Sequence, residues 1–175
     1  LRKHIPNNSP DPAIAITFDL WDEFMEQRLD NGKTIREEID DRLLKAQESG
    51  LQAELEDTLK SVRKLIRVGE FLEIQRQAII AALDPFEKDR KIRFRSSTNI
   101  EDSRYFTGAG LYDSYSGCLL DELDNDTNGP CACDGSKGKE RGVFRAIKRV
   151  YASFYNDNAY LERRRFGVIE SEVGM

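Results

Sequence analysis

Two arginines separated by one residue open the segment KIRFRSSTNIEDSRYFTGAGLYDSYSG, residues 91–117. They run into a hydroxyl cluster, a Glu-Asp pair and a glycine-flanked loop. In an extended strand Ile92 and Phe94 fall on one face, with Arg93, Arg95 and Ser97 on the other. Two guanidinium groups on one face repel each other unless negative charge lies between or beyond them. A glycine loop brings backbone N–H donors close to a ligand, because nothing projects from Cα. An arginine on a neighbouring strand adds a planar, always-charged fork that matches phosphate oxygens. With the hydroxyls of Ser96, Ser97 and Thr98, these groups meet the needs of a polyphosphate site. A structural account fits the same residues: Glu101 and Asp102 neutralise Arg93 or Arg95, and Gly108 with Gly110 makes a turn. Residue types alone leave both readings open.

The elements that must hold this segment can be read on either side of it. Ala13 to Phe18, a short β-branched apolar run after turn-forming residues, predicts a buried strand or an extended lead-in. Asp19 then caps a helix over residues 20–29, with Leu20, Phe24 and Leu29 near one face, and Asp30-Asn31-Gly32 ends it. From Thr34 to Leu83 the pattern is helical. Ile35, Ile39 and Leu43 step by four, and Leu51, Leu55, Leu59, Val62 and Ile66 continue at helical spacing. Phe71, Ile74, Ala78 and Leu83 mark a third segment, with Gly50 and Gly69 as the stops between. The expected arrangement is antiparallel helices packed against a sheet. Thr98 to Glu101 fits a capping box and so a single helical turn, while residues 104–120 suggest two joined strands, or one strand preceded by a glycine loop. Val143, Ile147, Val150, Tyr151 and Phe154 form one helix face, broken near Asn156-Asp157 before a segment that Gly167 ends. Arg163 to Arg165 sit in its last turn, where cations favour the helix dipole.

Composition narrows the classes. The chain has 175 residues, 39% hydrophobic and 34% charged, enough to fold around a core. Its net charge of −5 argues against a nucleic-acid binder, which needs a basic surface to displace counterions. No stretch nears the roughly 18 apolar residues of a membrane span, and no signal peptide is visible. Cys118, Cys131 and Cys133 are an odd, sparse set that suits a reducing cytoplasm better than a disulfide scaffold. The Cys131-Ala-Cys133 spacing is short for a zinc knuckle and no histidine lies near it, so no metal ligand is assigned. Residues 121–140, with almost nothing apolar, predict an exposed loop, mobile from Asn125 to Lys139 and without a part in nucleotide chemistry. The start at Leu1 and the stop at Met175, in a rising apolar stretch, suggest a piece of something longer.

RSSTNIED and the glycine loop after it resemble the nucleotide-binding domain of the phosphoenolpyruvate synthase and pyruvate phosphate dikinase family. AIKRVYASFYNDNAYLERRRFG, residues 146–167, is similar to a helix of that domain, with its Asn-Asp pair and arginine-rich end. IPNNSPDPAIAITFDLWDEFM looks like the segment after the family's first nucleotide-binding element. The resemblance covers residues 88–175 and 1–30, and the charged helices between are only loosely typical.

That resemblance implies an α+β fold, the first lobe of an ATP-grasp-like nucleotide-binding domain with a helical insertion. The whole of 1–175 would be a partial domain: 19–84 mainly helical, 91–120 strands and glycine loop, 141–167 helix. The parent would be a cytoplasmic phosphotransferase using ATP and Mg2+. It would phosphorylate a histidine on a separate domain and pass the group to pyruvate on a third. Arg95 matches the family arginine that contacts the phosphates during transfer, and Gly108 and Gly110 match the loop that covers them. The implied nucleotide-contacting set is Arg95, Ser96, Ser97, Thr107, Gly108 and Gly110, and Arg93 is left a structural pairing with a carboxylate. The family's glycine-rich lysine element and its acidic metal ligands have no counterpart in these residues, the 121–140 loop is longer than usual, and His4 is a bystander. A related dikinase acting on a glucan or an antibiotic, or a noncatalytic scaffold that kept the fold, fits the same residues.

Overall fold

The computed structural model describes residues 13–100 and 110–175 apart from 125 and 127, together with Phe106 and Gly108. Among these residues, six helices and a two-stranded antiparallel sheet follow in chain order. They are α1 (Phe18–Met25), α2 (Ile35–Ser49), α3 (Gln52–Val68), α4 (Glu73–Leu83), β1 (Ile92–Phe94), β2 (Tyr115–Gly117), α5 (Val143–Ser153) and α6 (Asp157–Arg165). Short 3-10 turns lie at Leu120–Glu122 and Glu170–Glu172. Helices and a small antiparallel sheet together make an α+β chain.

Residues 13–18 do not form a buried strand. Ile14, Ile16 and Phe18 are exposed, and α1 already begins at Phe18 with Thr17 in the extended N-cap position. Asp19 is therefore a first-turn residue, where its charge suits the helix dipole. The helix also stops at Met25. Leu29 lies beyond it in a tight turn, its N–H bonded to the Lys33 carbonyl.

Local chemistry explains α2 and α3. Thr34 Oγ1 accepts from the Glu37 N–H at 3.1 Å and Glu37 Oε2 accepts from the Thr34 N–H at 2.8 Å, so two of the first-turn donors are satisfied reciprocally. Gly50 follows at φ 67°, the left-handed conformation that ends a helix without a Cβ penalty. Only Gly50 and Leu51 join α2 to α3, and Arg42 reaches Ser61 across the pair at 3.3 Å, so the two helices run antiparallel. Ile35, Ile39 and Leu43 on α2 and Leu55, Leu59, Val62 and Ile66 on α3 are buried.

The helical pair does not lie on the sheet. The element between them is α5, which packs against α3 on one side and against both strands on the other. A Cβ at Gly117 would come within 2.7 Å of Val143 Cα, so β2 and α5 meet backbone to backbone and only glycine fits there. Lys148 Nζ donates to the Gly69 carbonyl at 2.7 Å just beyond the end of α3 and pairs with Glu70 at 2.9 Å. Trp21, Tyr151 and Phe154 pack by their edges in the centre, with centroids 4.9 and 5.3 Å from Trp21. Each such ring buries enough apolar surface to contribute roughly 1.5–3 kcal/mol.

The segment after β2 is tied to this body. Cys118 and Cys133 form a disulfide, which departs from the expectation of unlinked loop cysteines. Asp121 Oδ1 accepts from the Ala132 N–H at 2.7 Å and Oδ2 from the Arg141 N–H at 2.5 Å. Lys91 pairs with Asp134 at 2.8 Å. Polar composition hid these ties, because they use cysteine, charged side chains and backbone rather than apolar side chains. Among the described residues, no helix is long and apolar enough to cross a membrane.

Candidate functional site

The two strands pair Ile92 with Gly117, Arg93 with Ser116 and Phe94 with Tyr115. Directly opposed residues share a face of an antiparallel pair. Ile92 and Phe94 are buried, so they and Gly117 face α5, and Arg93 with Ser116 faces away. Arg93 is exposed and its Nη1 donates to Ser116 Oγ at 3.4 Å, a side-chain hydroxyl rather than the expected carboxylate. Arg95 is exposed one residue beyond β1, and it has no ion pair or hydrogen bond among the described residues. In this the pair differs from Arg36, Arg42, Arg63, Arg76 and Arg163, which all meet carboxylates.

Ser96 is half-buried and Ser97 exposed. Thr98 is buried, and its Oγ1 finds no hydrogen-bond partner among the described residues. The capping box predicted from Thr98 depends on Glu101, and Thr107 belongs to the glycine loop. Glu101, Asp102, Thr107 and Ala109 lie outside the described residues. Gly108 is buried and its carbonyl accepts the Leu111 N–H at 3.0 Å, while Gly110 is exposed at φ 80°. Because β1 and β2 are adjacent, Arg95 and the glycines sit in one connection whose two ends are held at the strand spacing of roughly 4.8 Å. No hydrogen bond among the described residues joins Arg95, Ser96 or Ser97 to Gly108 or Gly110.

The connection is anchored at both ends to other parts of the chain. Asn99 Nδ2 donates to the Glu172 carbonyl at 2.9 Å, and its Oδ1 accepts the Gly174 N–H at 3.2 Å. Asn156 Nδ2 reaches the Leu111 carbonyl at 3.4 Å and Asp113 at 3.3 Å. Tyr112 stacks on Phe154 at 6.0 Å with 7° between the rings. The Asn-Asp pair after α5 thus has a physical task. Asn156 holds the exit of the glycine segment, and Asp157 accepts from Arg63 at 2.8 Å to hold α6 against α3.

Beneath this exit lies a residue whose burial the sequence did not show. Arg163 sits in the last turn of α6 with Arg164 and Arg165, as expected, but it is completely buried and belongs to the core. Its Nη1 donates to the Phe154 carbonyl at 2.8 Å and its guanidinium lies 3.8 Å over the Phe154 ring. Burial opposes its charge, but the bonds to Glu170 outweigh that and hold its pKa above the ordinary arginine value.

A second cationic strip escaped the sequence reading. Arg141, Arg145 and Arg149 recur every fourth residue, a spacing that the sequence does show. None meets a carboxylate among the described residues, and Arg149 lies over the Tyr115 ring at 5.3 Å. Burial first, and then the like charges of Arg149 and Arg141, hold the Arg145 guanidinium below its ordinary value. Unpaired guanidinium groups on and beside a small sheet are suited to holding a polyanion.

The match to known proteins agrees with this chemistry. Residues 8–175 match the family model described as the pyruvate phosphate dikinase AMP/ATP-binding domain. The chain belongs to that family, and so is the AMP/ATP-binding part of a dikinase-type protein.

Proposed function

We propose that the chain is the first lobe of an ATP-grasp-like domain whose outward sheet face receives the phosphates of ATP. The observation that carries this is Arg95, exposed at the end of β1 without a carboxylate partner among the described residues, in a family whose domain binds AMP or ATP. Arg95 supplies the fixed positive charge, Ser96 and Ser97 supply hydroxyl donors, and Thr107, Gly108 and Gly110 supply the covering loop. Phosphoryl transfer asks the protein mainly for positioning and charge stabilisation, which a fork of donors on a strand end provides. Arg93, held on Ser116, keeps the face positive and steadies the neighbouring strand.

In this reading the parent protein phosphorylates a histidine on a separate domain and passes the group to pyruvate, within the cytoplasm. The described residues around Arg95 offer no carboxylate cluster that fits Mg2+, since the acidic groupings lie at Cys118, Asp121 and Cys131 and at Asp124, Asp126 and Glu140. In this reading the magnesium ligands lie in other parts of the parent.

The test is ATP-dependent autophosphorylation in the longest natural form of the protein. Arg95→Ala is expected to lower it by orders of magnitude while the circular dichroism spectrum stays unchanged. Arg93→Ala is expected to keep most of it. Equal loss in two folded variants removes the division of roles, and no loss in either removes the phosphate-site reading.

A further inference from the structure

The three cysteines, dispersed in sequence, converge in the fold. Cys118 leaves β2, Asp121 lies in the 3-10 turn that follows, and Cys131 and Cys133 return from the loop. One ligand atom each of Cys118, Asp121 and Cys131 lies within 4.8 Å of the others, and Cys133 is bonded to Cys118. Cys118 is 0% exposed, Cys131 2% and Asp121 5%.

Three details mark this as more than a disulfide with a bystander. First, the Asp121 carboxylate is buried without a lysine or arginine partner among the described residues, and the N–H groups of Ala132 and Arg141 bond to it. Buried carboxylates are normally paired with a cation or coordinate one. Second, Cys131 is a free, buried cysteine whose sulfur lies within 4.8 Å of an Asp121 oxygen, so an acidic ligand and a sulfur already share one spot. Third, a tight turn fixes this stretch, with the Asp134 N–H bonded to the Cys131 carbonyl at 3.0 Å and the Cys131 N–H to the Lys137 carbonyl at 3.0 Å. Such a turn fixes the Cys131 backbone and so the place of its sulfur.

We propose that in the reduced protein Cys118, Cys131, Cys133 and the Asp121 carboxylate form a four-coordinate zinc site, of which the Cys118–Cys133 disulfide is the oxidised, metal-free state. Three sulfurs and one carboxylate satisfy tetrahedral zinc, whose bonds of about 2.3 Å to sulfur place its ligand atoms roughly 3.8 Å apart. Thiolates select a soft, borderline ion over magnesium or calcium. Four protein ligands leave no open position, so the role is structural. The ion clamps the exit of β2 to the residues that lead into α5, where the Cys118 N–H already bonds the Arg141 carbonyl at 2.8 Å.

The interconversion balances with a thiol reductant. Two small-molecule thiols become one disulfide and give two electrons and two protons to Cys118 and Cys133. Zinc then displaces three protons from the three thiols. The Cys131-Ala-Cys133 spacing argued against zinc only because the other two ligands were invisible in a linear reading.

The test uses the intact protein, reduced anaerobically with a phosphine and titrated with Co2+ and then Zn2+. One equivalent of Co2+ is expected to give sulfur-to-cobalt charge transfer in the near ultraviolet and intense tetrahedral bands in the visible. Zn2+ is expected to abolish both. Cys131→Ser and Asp121→Asn, which leave the disulfide available to show folding in the oxidised state, are expected to weaken Co2+ binding by at least about tenfold. Wild-type protein with three titratable thiols that gives only the weak octahedral cobalt spectrum overturns the proposal. So does tight cobalt binding that Cys131→Ser leaves unchanged.

Discussion

Arg163 and Glu170 meet through two parallel bonds, Nε to Oε1 at 2.8 Å and Nη2 to Oε2 at 2.9 Å, with the arginine side chain wholly out of solvent. The pair closes the turn after α6 over the Phe154 ring and carbonyl. Breaking one partner of such a pair strands the other charge. Arg163→Ala is expected to cost about 3–5 kcal/mol, read as a lower urea midpoint with little change in slope. Arg163→Met paired with Glu170→Leu is expected to cost less than Arg163→Ala alone. An equal or larger loss in the double variant contradicts the stranded-charge account.

Tyr151 offers the opposite case. Its hydroxyl is buried and finds no hydrogen-bond partner among the described residues, and burial first, then Asp22, raises its pKa. Tyr151→Phe removes the unsatisfied group and keeps the edge contact with Trp21. The expected change is neutral to about 1 kcal/mol more stable, measured by denaturant unfolding. A clear loss of stability would reveal a partner for the hydroxyl.

The loop predicts a pH dependence of definite sign. A bond to Asp126, ahead of burial, pushes the Glu140 carboxyl from 4.5 up to about 7. A raised carboxyl favours the folded state below its unfolded value and loses that contribution as pH rises through the folded value. Wild type is therefore expected to lose thermal stability between pH 4.5 and 7 relative to Glu140→Gln. Asp134 runs the other way. Bonds to Lys91 and Ser136 hold its carboxyl far below the usual range, so its contribution stands above pH 3.8 and fades in stronger acid. Parallel wild-type and Glu140→Gln curves between pH 4.5 and 7 would refute the shared proton.

Removal of residues 125–139 behind a short linker tests how firmly that loop belongs to the body. It takes away Cys131, the disulfide partner of Cys118 and the Asp134 tie to Lys91. A disulfide alone contributes about 2–4 kcal/mol, so the midpoint is expected to fall by about 5 °C or more under oxidising conditions. An unchanged midpoint returns the segment to the status of a free loop, as its composition suggests.

Legibility in the sequence followed the range of the interaction. The buried steps of α2 and α3, the stop at Gly50 and the alternation of Ile92, Arg93 and Phe94 are local, and the linear pattern shows them. Arg163 was hidden because its run of three arginines looks uniform, whereas helix rotation turns only the first one inward. The Cys118–Asp121–Cys131 grouping depends on a loop folding back, which no spacing rule encodes. Ile14 and Ile16 failed for a different reason. Apolar character predicts burial only where a partner surface exists, and among the described residues none covers them. At the candidate site the two arginines were legible as a pair, but the anchoring by Asn99 and Asn156 was not.

The approach at Gly117 has a mechanical consequence. Between most helices and sheets lies a layer of side chains that can change rotamer and absorb small displacements. Here Val143 Cα and the β2 backbone touch directly, so that cushion is missing. A tilt of α5 is transmitted undamped to Ser116, and through its bond to Arg93 to the charged face of the sheet. The helix and the two strands therefore move as one lever, and whatever sets the angle of α5 also sets the aim of the guanidinium groups.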